Sequence, residues 1–340
     1  MKICVALSGG IDSAVAAYLL KEKGYNVIGI TFEIFDSQKE EIEKAKKIAQ
    51  KLKISHFILD LKEIFNEEII KYFIKDYSLG KTPNPCALCN RKIKFGKVLE
   101  YSIKELGCDK FATGHYVRLS EYKGHILILR AKDTKKDQSY FLSLIKKEAL
   151  QKLIFPLSEL TKDEVKNKAR ALGINVEKKQ ESRDICFLKG KSLKDFLSHY
   201  IPEKKGPIVY KNQIVGFHSG IYWFTIGQRK GLKIPLGKPL YIIDINAKKN
   251  EIILGEEKEL YSKGLILEDL NFHLPLKVWT NPVAQIRYRT QPVKVKDIQK
   301  LKNGYLIIFE KEVKSVTPGQ LCSFYEENFL LGGGIIKSKY

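Results

Sequence analysis

The 340-residue sequence has no apolar run of the roughly 18 residues that a membrane-spanning helix needs. Its N-terminus reads directly into a buried strand and not into a signal peptide. With 44% hydrophobic residues, the chain still has enough apolar side chains for two or three domains that each bury a core. We therefore expect a globular cytoplasmic protein without a membrane partner.

Acidic residues are scarce relative to basic ones, with 39 Asp and Glu against 60 Lys and Arg, which gives a formal net charge of +21. This imbalance exceeds what solubility needs and suits a polyphosphate partner, of which nucleic acid is the leading candidate. A basic surface that binds nothing is the alternative, and the placement of the charge in the fold decides between them.

Cysteine is also infrequent, with six residues in the whole chain. Six cysteines in an intracellular chain of this size do not indicate a structural disulfide framework, so clustered ones are candidates for redox or metal chemistry. The candidates for that chemistry are Cys86, Cys89 and Cys186. The cysteines expected to pack as small apolar residues are Cys4, Cys108 and Cys322.

Two common nucleotide-binding signatures are absent from the first strand–helix junction, the Gly-Lys-Ser/Thr of Walker loops and the Gly-x-Gly-x-x-Gly of dinucleotide folds. That junction instead carries Ser8-Gly9-Gly10-Ile11-Asp12-Ser13. The two glycines let the backbone turn tightly and approach a ligand closely. The first turn of the helix then offers free N–H groups to a phosphate. The loop resembles that of the ATP pyrophosphatases (PP-loop enzymes), which cleave ATP between its α- and β-phosphates. An ordinary glycine-rich turn is the alternative.

Apolar runs alternate with helical patterns in the first half of the chain. This alternation predicts an α/β fold with a doubly wound parallel sheet, whose ligand crevice lies beyond the carboxyl ends of the strands. A capping box, Thr161 with Glu164, starts a further helix. Near Ile201–Pro207 the pattern changes to short strands and turns. The predicted domains are a PP-loop catalytic domain over 1–203, a small β-rich central domain over 204–264 and a C-terminal β-barrel over 265–340.

The segment Lys81–Asn90 contains two prolines and presents Cys86 and Cys89 near the start of an amphipathic helix. The helix dipole and the basic residues that follow are expected to favour thiolate over thiol at both positions. A fourth strand is predicted to deliver His115 at its carboxyl end, where a structural histidine is the alternative. A hairpin is predicted over 118–130.

Nine short blocks, taken in order, make the chain resemble the bacterial tRNA-specific 2-thiouridylases (MnmA type). The resemblance spans nearly the whole length, and although single blocks are weak evidence, nine in order across three domains are not expected by chance. The blocks are Ser8–Ser13, Thr82–Pro85, Cys89-Asn90, Thr113–Tyr116, Lys136–Leu142, Ile185–Phe187, Gly227–Leu232, Arg287–Arg289 and Thr317–Gln320.

The resemblance implies an ATP-dependent sulfurtransferase that replaces the 2-oxygen of the wobble uridine with sulfur in tRNAs for Lys, Glu and Gln. ATP adenylates that oxygen so that AMP becomes the leaving group, and the base is flipped out so that sulfur can reach it. Asp12 is expected to orient Mg²⁺ or the pyrophosphate. The expected ATP contacts are Ala6, Leu7, Ser8, Gly9, Gly10, Ile11, Asp12, Ser13, Phe32 and Gly114.

The resemblance also implies tRNA contacts and sulfur chemistry. Asn84, Pro85 and Cys86 are expected to touch the target base. Cys186 is expected to carry a persulfide, and Cys89 to close the cycle through a disulfide bond. The sulfur donor is expected to be a cysteine desulfurase, a relay protein or free sulfide. The remaining expected tRNA contacts are His115, Lys136, Asp137, Gln138, Arg287, Tyr288 and Gln320.

The chain departs from the family pattern at three places. Cys86 stands where Asp is usual, Glu181-Ser182-Arg183-Asp184 replaces the usual Asp-Ser-Thr-Gly, and an insertion after the second strand is shortened. The first change removes a carboxylate but leaves Cys86, Cys89 and Cys186 as ligands for three irons of a 4Fe-4S cluster, whose fourth iron stays open to hydrosulfide. Persulfide and cluster routes both remain open, and ligand chemistry favours the cluster because it explains why Cys replaces Asp.

Two other function classes fit parts of the sequence. Another PP-loop adenylating enzyme that acts on a small molecule would have neither a cysteine pair in its substrate loop nor a basic, β-rich C-terminal region. A nucleic-acid-binding module with a relic loop would not need Asp12 and Ser13 beside the glycines.

Overall fold

The computed structural model describes residues 1–174, 185–188, 190–232, 234 and 237–340 of the chain. These residues form an α/β unit, a small β-rich unit and a β-barrel in that order, which confirms the predicted fold class. One departure from the family pattern, Glu181-Ser182-Arg183-Asp184, lies outside the described residues. Within those residues, no helix combines the length and the apolar character that crossing a bilayer requires.

A parallel sheet forms the centre of the α/β unit. The strands of this part of the chain are β1 (Lys2–Ala6), β2 (Asn26–Glu33), β3 (Ser55–Asp60), β4 (Lys110–Ala112), β5 (Arg118–Tyr122), β6 (His125–Leu129) and β7 (Leu153–Ile154). The sheet has the order β3-β2-β1-β4-β7, with every neighbouring pair parallel. Parallel strands end at one edge, so the segments that follow β1, β2 and β4 are neighbours.

Helices cover both faces of this sheet. The helices of this part of the chain are α1 (Ile11–Glu22), α2 (Lys39–Leu52), α3 (Lys62–Phe65), α4 (Lys71–Ser78), α5 (Pro85–Cys89), α6 (Leu99–Lys104), α7 (Lys147–Leu150), α8 (Lys162–Ala171) and α9 (Leu193–Ser198), of which α9 packs against α4. Two π-helical stretches, Asn66–Ile70 and Asn90–Val98, join α3 to α4 and α5 to α6. Alternate β1 residues face different cores, with Ile3 and Val5 in one cluster and Cys4 in the other.

The central unit is a four-stranded sheet in the order β10-β11-β8-β9. Its strands are β8 (Gly206–Tyr210), β9 (Gln213–His218), β10 (Tyr241–Asn246) and β11 (Glu251–Gly255). The sequence predicts the β10–β11 hairpin, which the structure contains, because two apolar runs flank a polar turn there. The core of the central unit is formed by Ile208, Ile242, Ile252 and Leu254, with other apolar residues around them.

The C-terminal unit is a six-stranded barrel. Its strands are β12 (Tyr261–Phe272), β13 (Val283–Gln285), β14 (Val293–Leu301), β15 (Gly304–Lys314), β16 (Leu321–Glu326) and β17 (Phe329–Lys339). β12 pairs with both β15 and β17, which closes the barrel. The sequence patterns predict neither β12 nor β17. Because β12 starts at Tyr261, the boundary expected between residues 264 and 265 falls inside this strand.

The hairpin predicted over 118–130 is present as β5 and β6, but its place in the fold was not predicted. β6 pairs with β17, with Leu129 opposite Phe329 and Ile128 opposite Leu330. A hairpin from the α/β unit therefore extends the sheet of the barrel. This pairing fixes the barrel beside the polar segment that follows β6.

Candidate active site

The loop between β1 and α1 has the geometry of a phosphate-binding turn. Gly9 has a φ of +76°, and a Cβ there would lie 2.6 Å from the Glu41 carbonyl oxygen, so only glycine fits. The Ser13 hydroxyl accepts a hydrogen bond from the Ser8 N–H at 3.1 Å and donates one to the Gly10 carbonyl at 2.9 Å. No side chain within the described ranges caps α1 at Gly10, so its first N–H groups can meet an anion.

Two further candidate ATP contacts lie on strands next to this loop. A Cβ on Gly114, after β4, would lie 2.9 Å from the Asp12 carbonyl carbon, so the backbone there runs directly against the start of α1. Phe32 is near the end of β2, which is tied to the loop because the Thr31 hydroxyl donates to the Leu7 carbonyl at 2.7 Å. The structure therefore brings together the residues for which the sequence predicted ATP binding.

A buried lysine meets the loop carboxylate. The Lys162 ammonium lies 2.7 Å from both carboxylate oxygens of Asp12, and the Tyr116 hydroxyl donates to the same carboxylate at 2.7 Å. Lys162 also lies over the Tyr116 ring at 5.6 Å from its centre. Neither Lys162 nor Tyr116 is predicted from the sequence as a partner of Asp12.

The signal for Lys162 was present in the capping box. Thr161 caps α8 and its hydroxyl accepts a hydrogen bond from the Glu164 N–H at 3.3 Å, so Lys162 is the first residue of the helix. A cation at the first position of a helix is repelled by the positive end of the helix dipole. Such a local conflict indicates a functional constraint. The unfavourable position of Lys162, immediately after the capping residue Thr161, is the sequence signal that identifies it as a candidate functional residue.

The cysteine loop, residues 81–86, contains two prolines and leads into α5. Pro85 is the first residue of the helix, and the Asn84 side chain caps it by accepting a hydrogen bond from the Ala87 N–H at 3.2 Å. Cys86 is exposed and Cys89 is buried. Cys89 belongs to the core cluster against which Ala6, Phe32 and Phe187 pack, so the nucleotide side, the cysteine helix and the neighbour of Cys186 share one core.

The expectation that the dipole and nearby cations favour thiolates is wrong. Loss of hydration raises the pKa of Cys86, raises that of Cys89 to about 12 and raises that of Cys186 to about 11. Cys86 and Cys186 reach solvent on one side, but the protein around their sulfur atoms removes much of the hydration. The Lys94 ammonium lowers the pKa of all three without overcoming this effect, so they are thiols at neutral pH.

The three cysteines influence one another electrostatically, but they are not arranged as a metal site. Throughout the part of the chain that the structure describes, no three Cys, His, Asp or Glu side chains are grouped so that they could hold a metal ion. The described residues therefore give no support to the 4Fe-4S cluster expected at Cys86, Cys89 and Cys186. The other cysteines are buried, as expected, and are Cys4, Cys108 and Cys322.

Asp137, a candidate tRNA contact, faces inward and organises the segment after β6. Its carboxylate accepts hydrogen bonds from the Arg130 guanidinium and the Ala131 N–H at 2.9 Å and from the Ser139 hydroxyl at 2.7 Å. Arg130 also lies 3.7 Å above the centre of the Tyr325 ring, on the barrel. The carboxylate is therefore used within the protein.

The neighbouring candidates are placed differently. The Gln138 side chain accepts a hydrogen bond from the Tyr116 N–H at 2.9 Å, which links this segment to the end of β4. Lys136 is half-buried in a helical turn. His115 lies 2.8 Å from the Thr113 hydroxyl, and burial lowers its pKa well below the ordinary value, so it is neutral.

A cleft of about 500 Å³ opens between this segment and the barrel. Tyr288 lies at its edge and contacts Phe141, with ring centres 4.6 Å apart. The residues of the cleft include three cations and two aromatic rings, a combination suited to the phosphates and unstacked bases of RNA. The lining residues are Arg130, Thr134, Lys135, Asp137, Tyr140, Gln285, Tyr288 and Arg289, of which Asp137 is paired with Arg130.

The last two candidates lie where the barrel meets the cysteine loop. The Arg287 guanidinium donates to the Thr317 hydroxyl at 2.9 Å. The Gln320 side chain donates to the Thr82 carbonyl at 2.7 Å. Gln320 therefore contacts the loop that carries Cys86.

Three family models match the chain, in the order of its structural units. The tRNA methyl transferase HUP domain matches residues 1–190 and the tRNA methyl transferase PRC-barrel domain matches residues 194–256. The Aminomethyltransferase beta-barrel domain matches residues 262–336.

Curated relatives match over nearly the full length. The tRNA-specific 2-thiouridylase MnmA of Aquifex aeolicus is 44% identical over 352 residues, with 99% of this chain and 99% of that protein covered. That of Persephonella marina is 40% identical, with 99% and 100% covered, and MnmA 2 of Clostridium botulinum is 39% identical, with 98% of each covered. The chain belongs to the family of the tRNA-specific 2-thiouridylase MnmA.

Proposed function

We propose that this protein is an ATP-dependent tRNA sulfurtransferase that converts the wobble uridine of tRNA to 2-thiouridine. The observation that carries the proposal is the shared core in which Cys89 and Phe187 pack with Ala6 and Phe32. It joins a nucleotide loop and a set of thiols, which are the two parts that adenylation and sulfur transfer need. A cytoplasmic location follows from the tRNA partner.

Adenylation is assigned to the loop that ends in Asp12. The open N–H groups of α1 would bind phosphate oxygens, and Mg²⁺ would accompany ATP with Asp12 as the carboxylate that can hold it. Because Lys162 engages both Asp12 oxygens, the metal can take that carboxylate only if the ammonium turns to the phosphates. The pyrophosphate would then leave with its charge neutralised.

The tRNA partner is assigned to the cleft beside the barrel. Its cations would bind phosphates, and Tyr288 with Phe141 would stack on unpaired bases of the anticodon loop. The net charge of +21 supports a polyphosphate partner. The tRNAs proposed as substrates are those for Lys, Glu and Gln, as in the family resemblance.

For sulfur transfer we infer the persulfide route, because the described thiols are not grouped as the ligands of a metal ion. The outer sulfur of a Cys186 persulfide attacks C2 of the adenylated uridine, and AMP leaves with the former 2-oxygen. The Cys89 thiol then attacks the Cys186 sulfur and loses its proton to the departing sulfur of the base, which forms a Cys89–Cys186 disulfide and releases the 2-thiouridine. Two external thiols reduce the disulfide, and a desulfurase or relay protein in its persulfide form then reloads Cys186 by sulfur exchange. Free sulfide would instead attack the disulfide itself, which leaves a persulfide on Cys186 and a thiol on Cys89.

Thiolation of unmodified tRNA tests the proposal. We expect 2-thiouridine in nuclease digests, together with stoichiometric AMP and pyrophosphate, when the enzyme receives ATP, Mg²⁺ and a persulfide donor. A transcript with cytidine at the wobble position is the matched control and should stay unmodified. Absence of 2-thiouridine from all three tRNAs would contradict the proposal, and AMP formation that needs a small molecule but no tRNA would support the other adenylating class.

A further inference from the structure

Two other domains hold the loop that leads to Cys86. The Thr82 N–H donates to the Pro318 carbonyl at 2.8 Å, and the Gln320 side-chain amide donates to the Thr82 carbonyl at 2.7 Å. On another side, the Thr82 hydroxyl lies 3.2 Å from the Thr225 hydroxyl of the central unit. The barrel thus fixes the peptide groups on both sides of Thr82.

The barrel segment that makes these bonds is itself well fixed. Gly319 has a φ of +89°, and a Cβ there would lie 3.0 Å from the Thr82 carbonyl carbon and 3.1 Å from the Pro83 nitrogen. The Gln320 carbonyl accepts a hydrogen bond from the Ile336 N–H of β17 at 2.8 Å. The Gln320 side chain therefore extends from a backbone that the barrel sheet holds in place.

The chain between this contact and the cysteine has little freedom to absorb a displacement. Pro83, Asn84 and Pro85 separate Thr82 from Cys86, and both prolines have a fixed φ. Asn84 is constrained as the cap of α5. A shift of the Thr82 peptide is therefore passed on to the start of the cysteine helix.

The same barrel segment also touches a candidate tRNA contact. Thr317 begins the loop Thr317–Gln320, and its hydroxyl accepts a hydrogen bond from the Arg287 guanidinium at 2.9 Å. A tRNA phosphate bound by Arg287 would therefore lie beside a residue that directly contacts Thr317, in the same segment that holds Thr82.

We propose that Gln320 is a positioning residue, which holds the loop Thr82–Cys86, and with it the target uridine expected to lie on that loop, in place for the sulfur on Cys186, and which adds little to tRNA affinity. This inference rests on the proposed function, and it replaces the direct tRNA contact that the family resemblance implies for Gln320. The sulfur must meet C2 of the uridine in a near-attack geometry, for which a misplacement of about 1 Å costs on the order of 100-fold in rate. The sulfur comes from Cys186, so a side chain that holds the loop expected to contact the base acts on the rate of sulfur transfer through the position of C2.

Steady-state thiolation by the full-length enzyme separates the two roles. Gln320→Ala should lower kcat at least about tenfold, because the loop loses one of its three contacts at Thr82, with the KM for tRNA within about twofold of wild type. Arg289→Ala, in the cleft beside the barrel, should raise the KM. An increase in KM at wild-type kcat for Gln320→Ala would mean that Gln320 binds tRNA, and no change in either constant would also overturn the proposal.

A second measurement needs neither tRNA nor a sulfur donor. Iodoacetamide labelling of Cys86, followed by mass spectrometry of its peptide, should be several-fold faster in Gln320→Ala because the loop opens more often. Gln299→Ala, the same change at an exposed barrel position, is the control and should label at the wild-type rate. Labelling of Cys86 at the wild-type rate in Gln320→Ala would overturn the proposal. If the wild type makes no 2-thiouridine, the proposed function fails while this labelling still decides whether Gln320 holds the loop.

Discussion

The Lys162 ammonium lies 2.7 Å from each carboxylate oxygen of Asp12, although the two residues are 150 positions apart in the chain. The lysine side chain is only 10% exposed, whereas the aspartate side chain is 33% exposed. A buried ammonium without a counter-charge is costly, so Lys162 needs an anion in every state of the enzyme. Asp12 provides it in the structure, and the phosphates of ATP are the natural replacement.

Loss of either partner should therefore stop adenylation. We expect Asp12→Ala and Lys162→Met each to lower AMP formation by at least about 100-fold, since a preorganised charge at a developing anion is worth that much. Release of AMP and pyrophosphate in the presence of unmodified tRNA is the measurement. Lys166→Met, on the same helix, is the matched control and should keep wild-type turnover. Wild-type AMP release by both Asp12→Ala and Lys162→Met would remove the ATP assignment.

The local elements of this fold could be predicted because local sequence patterns determine them. The Ser8–Ser13 turn needs a glycine at Gly9, where a Cβ would meet the Glu41 carbonyl. The amphipathic period of residues 38–53 likewise gives α2, and the alternation of strands and helices gives the parallel sheet.

The contacts between distant segments could not be predicted in this way. The sequence of β5–β6 specifies a hairpin but not its pairing with β17, since edge pairing depends on tertiary packing. For the same reason the contact of Gln320 with Thr82 leaves no local pattern. The thiol pKa values were predicted wrongly because burial, which no local motif encodes, outweighs the nearby charge of Lys94.

Lys94 should control the ionisation of the cysteines. Its ammonium lowers the pKa of Cys86, Cys89 and Cys186, so Lys94→Met should raise these values and reduce the thiolate fraction at any given pH. Iodoacetamide labelling of Cys186 between about pH 8 and about pH 10 should then be slower, with its profile displaced to higher pH. Lys97→Met, an exposed lysine on the same helical segment, is the control. Superimposable profiles for Lys94→Met and wild type would exclude this role.

Glu326 should make the barrel sensitive to acid. Although burial raises its pKa, hydrogen bonds from Lys123, Thr280 and the Asn281 N–H hold it at about 2, below the ordinary value of 4.5. The carboxylate of Glu326 therefore binds a proton more readily in the unfolded chain than in the folded one. Its contribution to the free energy of unfolding is complete above about pH 4.5 and is lost as the pH falls towards about 2. At about 1.4 kcal/mol for each pH unit, the loss in unfolding free energy is roughly 3 kcal/mol.

Trp279 reports on this region because it packs against Phe324, with ring centres 5.2 Å apart. In a Trp223→Phe background, its fluorescence during urea denaturation should show the acid-dependent loss. Glu326→Gln should be less stable at neutral pH and should lose less stability between about pH 4.5 and about pH 3. Glu327→Gln changes the adjacent exposed carboxylate and is the control. An equal acid sensitivity in Glu326→Gln would contradict the prediction.

The cysteine at position 86 separates the two routes for sulfur. In the persulfide route Cys86 carries no sulfur, so Cys86→Ala should still form 2-thiouridine with a persulfide donor. Cys86→Asp, which restores the residue usual in the family, should do so as well. Cys89→Ala and Cys186→Ala should both be inactive, since the first cannot resolve the persulfide and the second cannot carry it.

The cluster route requires the opposite result from Cys86→Ala, because the loss of one of three ligands should remove iron, visible absorption and 2-thiouridine formation together. Anaerobic reconstitution with iron and sulfide, followed by an iron assay and an absorption spectrum, is therefore run on wild type and on each variant. We expect no stoichiometric iron in any of them, because the described thiols are not grouped as a metal site. Iron bound by wild type and lost from Cys86→Ala together with thiolation would establish the cluster and reject the persulfide route.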